Sequence, residues 1–133
     1  MKITDIEGIG PAFGEKLESA GLKTVESLLD KGCTPTGRKE ICEATGLSND
    51  KILTWVNMAD LTRVNGIGGE FAELLVASGV DTIKEFRNRN AENLHAKLSE
   101  VNGEKKLTRV VPSSERLQAF IDQAKALDPK ITY

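Results

Sequence analysis

The chain has 133 residues, enough for one domain or for two small halves packed closely together. Hydrophobic residues make up 39% and charged residues 29%, and no apolar run is long enough to span a membrane. A net charge of −2 and a pI of about 5.5 weigh against the uniformly basic face of a strong nonspecific DNA binder, so the distribution of charge matters more than its sum.

The N-terminus, Met1-Lys2-Ile3-Thr4-Asp5, has no apolar signal core, and the expected location is the cytoplasm. A short helix is expected over Ile3 to Glu7. Pro11 suits the first position of a second helix, where its fixed φ helps and its missing N–H costs nothing. That helix runs to about Ala20 and stops at Gly21. Thr24 caps a third helix carrying Val25, Leu28 and Leu29. Pro35 or Thr36 opens a fourth, with Ile41, Cys42 and Ala44 inward, and Gly46 closes it. Ser48, followed by Asn49 and Asp50, opens a fifth. Its apolar stripe is Ile52, Leu53, Trp55, Val56 and Ala59, and its end is Met58 to Val64. Further helices are expected over Glu70 to Ser78, Thr82 to Arg87 and Glu92 to about Val101. The last, Ser113 to Leu127, has the stripe Leu117, Phe120, Ile121, Ala124 and Leu127. No strand pattern persists, so the fold class is all-α.

These elements repeat. Gly8-Ile9-Gly10 recurs 58 positions later as Gly66-Ile67-Gly68. At the same shift Phe13 falls on Phe71, Glu15 on Glu73, Leu17 on Leu75, Gly21 on Gly79 and Thr24 on Thr82. At a shift of 65, Ile52, Trp55, Val56 and Ala59 fall on Leu117, Phe120, Ile121 and Ala124. The chain therefore reads as an internal duplication with two pseudo-symmetric halves, residues 1–58 and 59–133, sharing one helical core. The second copy gains about seven residues around Asn102 to Val111, a polar, basic loop.

The pattern helix, Gly-hydrophobic-Gly, helix has a physical logic. The first glycine permits positive φ, the second lets backbone approach backbone, and Ile9 or Ile67 between them plugs the core. Four residues on, Gly14 or Ala72 is small enough for close helix packing. This resembles the helix-hairpin-helix motif, twice and in register. The resemblance implies that the turn and the helix N-terminus after it donate N–H groups to DNA phosphates, without reading sequence. Carried over, the donors are Gly8, Ile9, Gly10, Ala12 and Phe13, then Gly66, Ile67, Gly68, Gly69 and Glu70. Where DNA-binding members usually carry a cation, this chain has Ala12 and Glu70. A carboxylate at Glu70 would repel phosphate. Lys2, Lys16 and Lys23 are the nearest cations of the first unit, and Arg63, Lys84 and Arg87 those of the second. The balance slightly favours the first turn.

Longer stretches add to this: Thr36-Gly37-Arg38, Ala44-Thr45-Gly46-Leu47-Ser48, Trp55 to Leu61, Gly79-Val80-Asp81-Thr82, Arg89 to Leu94, and Ile131-Thr132-Tyr133. Over nearly its whole length the chain is similar to the domain of unknown function 4332 family, small bacterial tandem helix-hairpin-helix proteins.

Other residues point to little chemistry. Cys33 and Cys42 match neither a redox pair nor a zinc spacing and read as reduced thiols. With His95 alone, no histidine metal cluster can form. Arg38, beside a helix N-terminus, is either a solvated arginine or a clamp for a phosphate or carboxylate. Lys105 and Lys106 read as loop solubility. No cofactor, metal or small-molecule substrate is expected, nor an enzyme. Two functions stay open: sequence-independent binding to the phosphate backbone of duplex DNA, through the turn residues together with Lys16 and Arg38, and a protein-interaction module in which the turns only build structure.

Overall fold

A computed structural model describes residues 1–133, and it is helical throughout. A 3₁₀ turn, Ile3–Asp5, precedes eight α-helices. They are α1 (Pro11–Ser19), α2 (Val25–Gly32), α3 (Pro35–Thr45) and α4 (Asn49–Leu61), then α5 (Gly69–Ala77), α6 (Ile83–Phe86), α7 (Ala91–Lys105) and α8 (Ser114–Lys125). One isolated antiparallel bridge, Lys2 to Thr24, is the only β pairing.

The local signals do their expected work. Thr24, Thr34, Ser48, Thr82, Asn90 and Ser113 each accept a hydrogen bond from the backbone N–H three residues on, satisfying a donor that the helix cannot. Gly46 ends α3 in the left-handed conformation. The opening segment is a 3₁₀ turn rather than a longer helix, because the Asp5 carboxylate folds back to accept the Lys2 N–H at 2.8 Å.

One hydrophobic cluster of 33 buried residues draws on every helix. At its centre lies α4, which packs against α2, α3 and α5. Every residue from Trp55 to Leu61 is buried, so this part of α4 has no solvent face. That burial includes Asp60, whose carboxylate is satisfied twice: Arg63 donates at 3.0 Å and the Ile83 N–H at 2.9 Å. Val25, the counterpart of Ile83, donates instead to the Met1 carbonyl at 3.1 Å. A buried side chain thus does in one place what backbone does in the other.

Two expected boundaries move. The fifth helix ends at Leu61 instead of Val64, and Asn65 N–H is taken by the Gln123 side chain. The segment read as a basic loop is half helix, since α7 continues through Asn102, Gly103, Glu104 and Lys105 before Lys106 closes it at φ 53°. Asn102 explains the extension. Its side-chain amide donates to the Thr108 carbonyl at 3.0 Å and its oxygen accepts the Thr108 N–H at 2.9 Å, folding the outgoing chain back onto the helix.

Candidate nucleic-acid interface

The two Gly-Ile-Gly turns share their local geometry. Gly8 and Gly66 have φ of 91° and 97°, a region side chains avoid. Gly10 and Gly68 are extended and start α1 and α5. Ile9 and Ile67 are buried, as expected of a plug. Their N–H groups are not free, however. Each closes its own turn, Ile9 onto the Ile6 carbonyl and Ile67 onto the Val64 carbonyl, both at 3.1 Å. Ile9 and Ile67 therefore leave the set of donors. The N–H groups of Gly8, Gly10, Ala12 and Phe13 have no backbone acceptor, and neither do those of Gly66, Gly68, Gly69 and Glu70.

An aromatic pair sits beside each turn. Phe13 meets Trp55 at 5.4 Å between ring centroids, and Phe71 meets Phe120 at 6.0 Å. Each pair carries a cation: Lys51 lies 5.7 Å from the Phe13 ring centre and Arg116 lies 5.4 Å from that of Phe120. Lys51 and Arg116 both stand three residues after a capping serine, Ser48 or Ser113. The shift of 65 that aligns Trp55 with Phe120 also aligns these two cations, so the correspondence is present in the sequence.

The surroundings then diverge. Gly69, the counterpart of Pro11, is buried. A β-carbon there would overlap the carbonyl of Asp5, so the start of α5 is pressed against the N-terminal segment. Gly14 is likewise tight, with Thr4 Cγ2 2.7 Å from where its β-carbon would be. The chain after α7 lies across the second turn. With Gly66, Gly68, Gly69, Glu70, Phe71, Arg116 and Phe120, its residues Thr108, Arg109, Val110 and Pro112 enclose an open cleft of about 470 Å³. The first turn has only a hollow of about 300 Å³, lined by Gly8, Phe13, Asp50, Lys51, Thr54 and Trp55. Lys16 lines a separate depression with Ala12, Glu15, Ser19 and Ala44.

Not all the predicted cations reach these sites. Arg38 is only 5% exposed. Its guanidinium donates to the Gly32 carbonyl at 2.8 Å and the Thr132 carbonyl at 2.7 Å, and lies 5.7 Å from the centre of the Tyr133 ring. It is neither solvated nor near either turn; it ties the C-terminal segment to α2. Arg63 is spent on Asp60 and on the Asp128 carbonyl at 2.9 Å. Arg109 and Arg116 take part in no ion pair. Opposing them are Glu70, in the cleft wall, and Glu73. Burial, then the charges of Glu7 and Glu70, raise the Glu73 carboxyl above its ordinary pKa, with Lys105 pulling the other way.

A family model described as Domain of unknown function (DUF4332) matches residues 7–127. The chain belongs to this family. Neither a curated protein nor a solved structure matches it. Membership agrees with the resemblance carried by the repeated turns and the sequence between them. No helix is long and apolar enough to cross a membrane.

Proposed function

We propose that this member of the DUF4332 family is a non-enzymatic binding protein, built as two tandem helix-hairpin-helix halves, that holds the phosphate backbone of duplex DNA in the cytoplasm of a bacterium. The observation that carries the reading is the pairing of features at each turn. N–H groups without a backbone acceptor adjoin a cation that has no carboxylate partner, Lys51 at the first and Arg116 at the second. Such a surface suits an anion, the chemistry of a phosphate backbone. The acidic balance and Glu70 keep the affinity low, at micromolar or weaker as an order of magnitude.

The alternative is a protein-interaction module in which the turns are structural. Two facts favour it: the Ile9 and Ile67 N–H groups are consumed within their turns, and Gly69 is packed against Asp5. Competition separates the readings. A labelled duplex bound at low salt is challenged with unlabelled duplexes of unrelated sequence. Equal displacement by all of them is expected. Displacement by one sequence alone, or no complex to displace, would count against backbone binding.

A further inference from the structure

We propose that Arg109 and Arg116 are the residues that grip a DNA phosphate, and that the segment after α7 makes the second turn, rather than the first, the side on which a strand is held. This rests on the duplex-binding reading and adds to it a polarity that the repeated sequence does not have.

The segment is fixed in place. Asn102 binds Thr108 through both backbone groups, the Thr108 hydroxyl donates to the Val110 carbonyl at 3.2 Å, and His95 Nδ1 meets the Pro112 carbonyl at 2.8 Å. Between these anchors Arg109 and Val110 line the cleft beside the second turn. Val110 is 77% exposed, an apolar residue left at the rim of the cleft. Arg116 approaches from α8, on the other side, with its guanidinium against Phe120. Arg116 has no carboxylate partner there, and a guanidinium edge matches two phosphate oxygens at once.

The rest of the cleft suits the same ligand. Phe71, Phe120 and Pro112 give it an apolar side, against which the sugar carrying the phosphate can lie. Glu70 is the only carboxylate in the lining, so two positive charges face one negative. At the first turn Lys51 is the single cation of the hollow, which it shares with Asp50, so the lining carries no net positive charge although the two form no ion pair.

The test measures anisotropy of a labelled duplex with the full chain over a range of salt. The variants are Arg109→Ala, Arg116→Gln, both together, and Lys51→Ala. Glutamine at 116 keeps an aliphatic stem on Phe120, and thermal melting checks that each variant folds. Each arginine change should weaken binding roughly tenfold, the loss of one charge-assisted contact. The double variant should also lower the slope of log affinity against log salt by about 1.8, since each released charge contributes about 0.9. Lys51→Ala should cost less than either. A parent that binds while the folded double variant binds equally well, with the same slope, overturns the proposal and leaves the duplex reading standing. So does a larger loss from Lys51→Ala. A parent that binds no duplex at low salt overturns both.

Discussion

The two Gly-Ile-Gly turns share a backbone and differ in what surrounds it. Each has a left-handed first glycine, a buried isoleucine, an aromatic pair and a cation over one of its rings. Yet Pro11 is exposed where Gly69 is buried, Ala12 faces Glu70 across the repeat, and a shallow hollow corresponds to a cleft half covered by inserted chain. A turn is specified by few residues and can recur with the same backbone. Its environment depends on distant segments and is free to drift.

Position 69 should show the largest difference. Alanine there would drive a β-carbon into the Asp5 carbonyl, and the expected loss is roughly 1–3 kcal/mol or more, with proline worse. At the matching position Pro11→Gly should cost only about 0.4–1 kcal/mol, from greater freedom of the unfolded chain. Denaturant unfolding of both variants measures this. Equal tolerance at the two positions would break the contrast.

The left-handed glycines come next. Valine at Gly8 or Gly66 should cost about 1–3 kcal/mol, because a β-branched residue fits positive φ poorly. Gly66 should be the more sensitive. A β-carbon there lies 3.0 Å from Phe120 Cε1, against 3.4 Å from Trp55 Nε1 at Gly8. Unchanged melting temperatures in both variants would mean that neither turn needs its glycine.

Charge at the ends of α5 and α1 should matter less to stability, and chiefly to binding. Under the proposed function, Glu70→Lys should tighten duplex binding severalfold by removing a repulsive charge at the start of α5, and Lys16→Glu should weaken it. A stronger response at Lys16 than at Glu70 would move the binding side to the first turn.

The smallest effect concerns Glu73. Its carboxyl is raised in the folded protein, so the native state binds that proton more tightly than the unfolded chain. The stability gained is present below the ordinary 4.5 and is lost as pH rises through the raised value. At neutral pH the ionised carboxylate therefore works against folding. Glu73→Gln should give a small rise in melting temperature at pH 7 that shrinks toward pH 4.5. A rise that persists undiminished at the lower pH would rule out this cause.

What the sequence made legible was local. Capping residues, the glycines at helix ends and the apolar stripes act within a few positions, and the helices begin and end close to where those signals lie. Several of the misreadings involve partners far along the chain. Arg38 looked like a surface cation because no acidic neighbour pairs with it; its acceptors are two carbonyls, Gly32 nearby and Thr132 94 positions away. Gly69 was read only as a donor beside the turn; what makes it a glycine is the Asp5 carbonyl, 64 positions away. The polar segment after Val101 was visible as an insertion, but its resting place depends on His95 and Asn102 holding it. Arg116 is legible from the second shift alone, which aligns it with Lys51 as it aligns the apolar stripe.

Duplex binding by the unaltered chain is the central claim, and fluorescence anisotropy of a labelled duplex at low and moderate salt tests it most directly. Binding should be independent of sequence, micromolar or weaker, with a slope of log affinity against log salt of roughly two to four, because few cations lie near the turns and N–H donors release no counterions. No binding at low salt, by either the parent or its Glu70→Lys variant, would contradict it and leave protein interaction as the better reading.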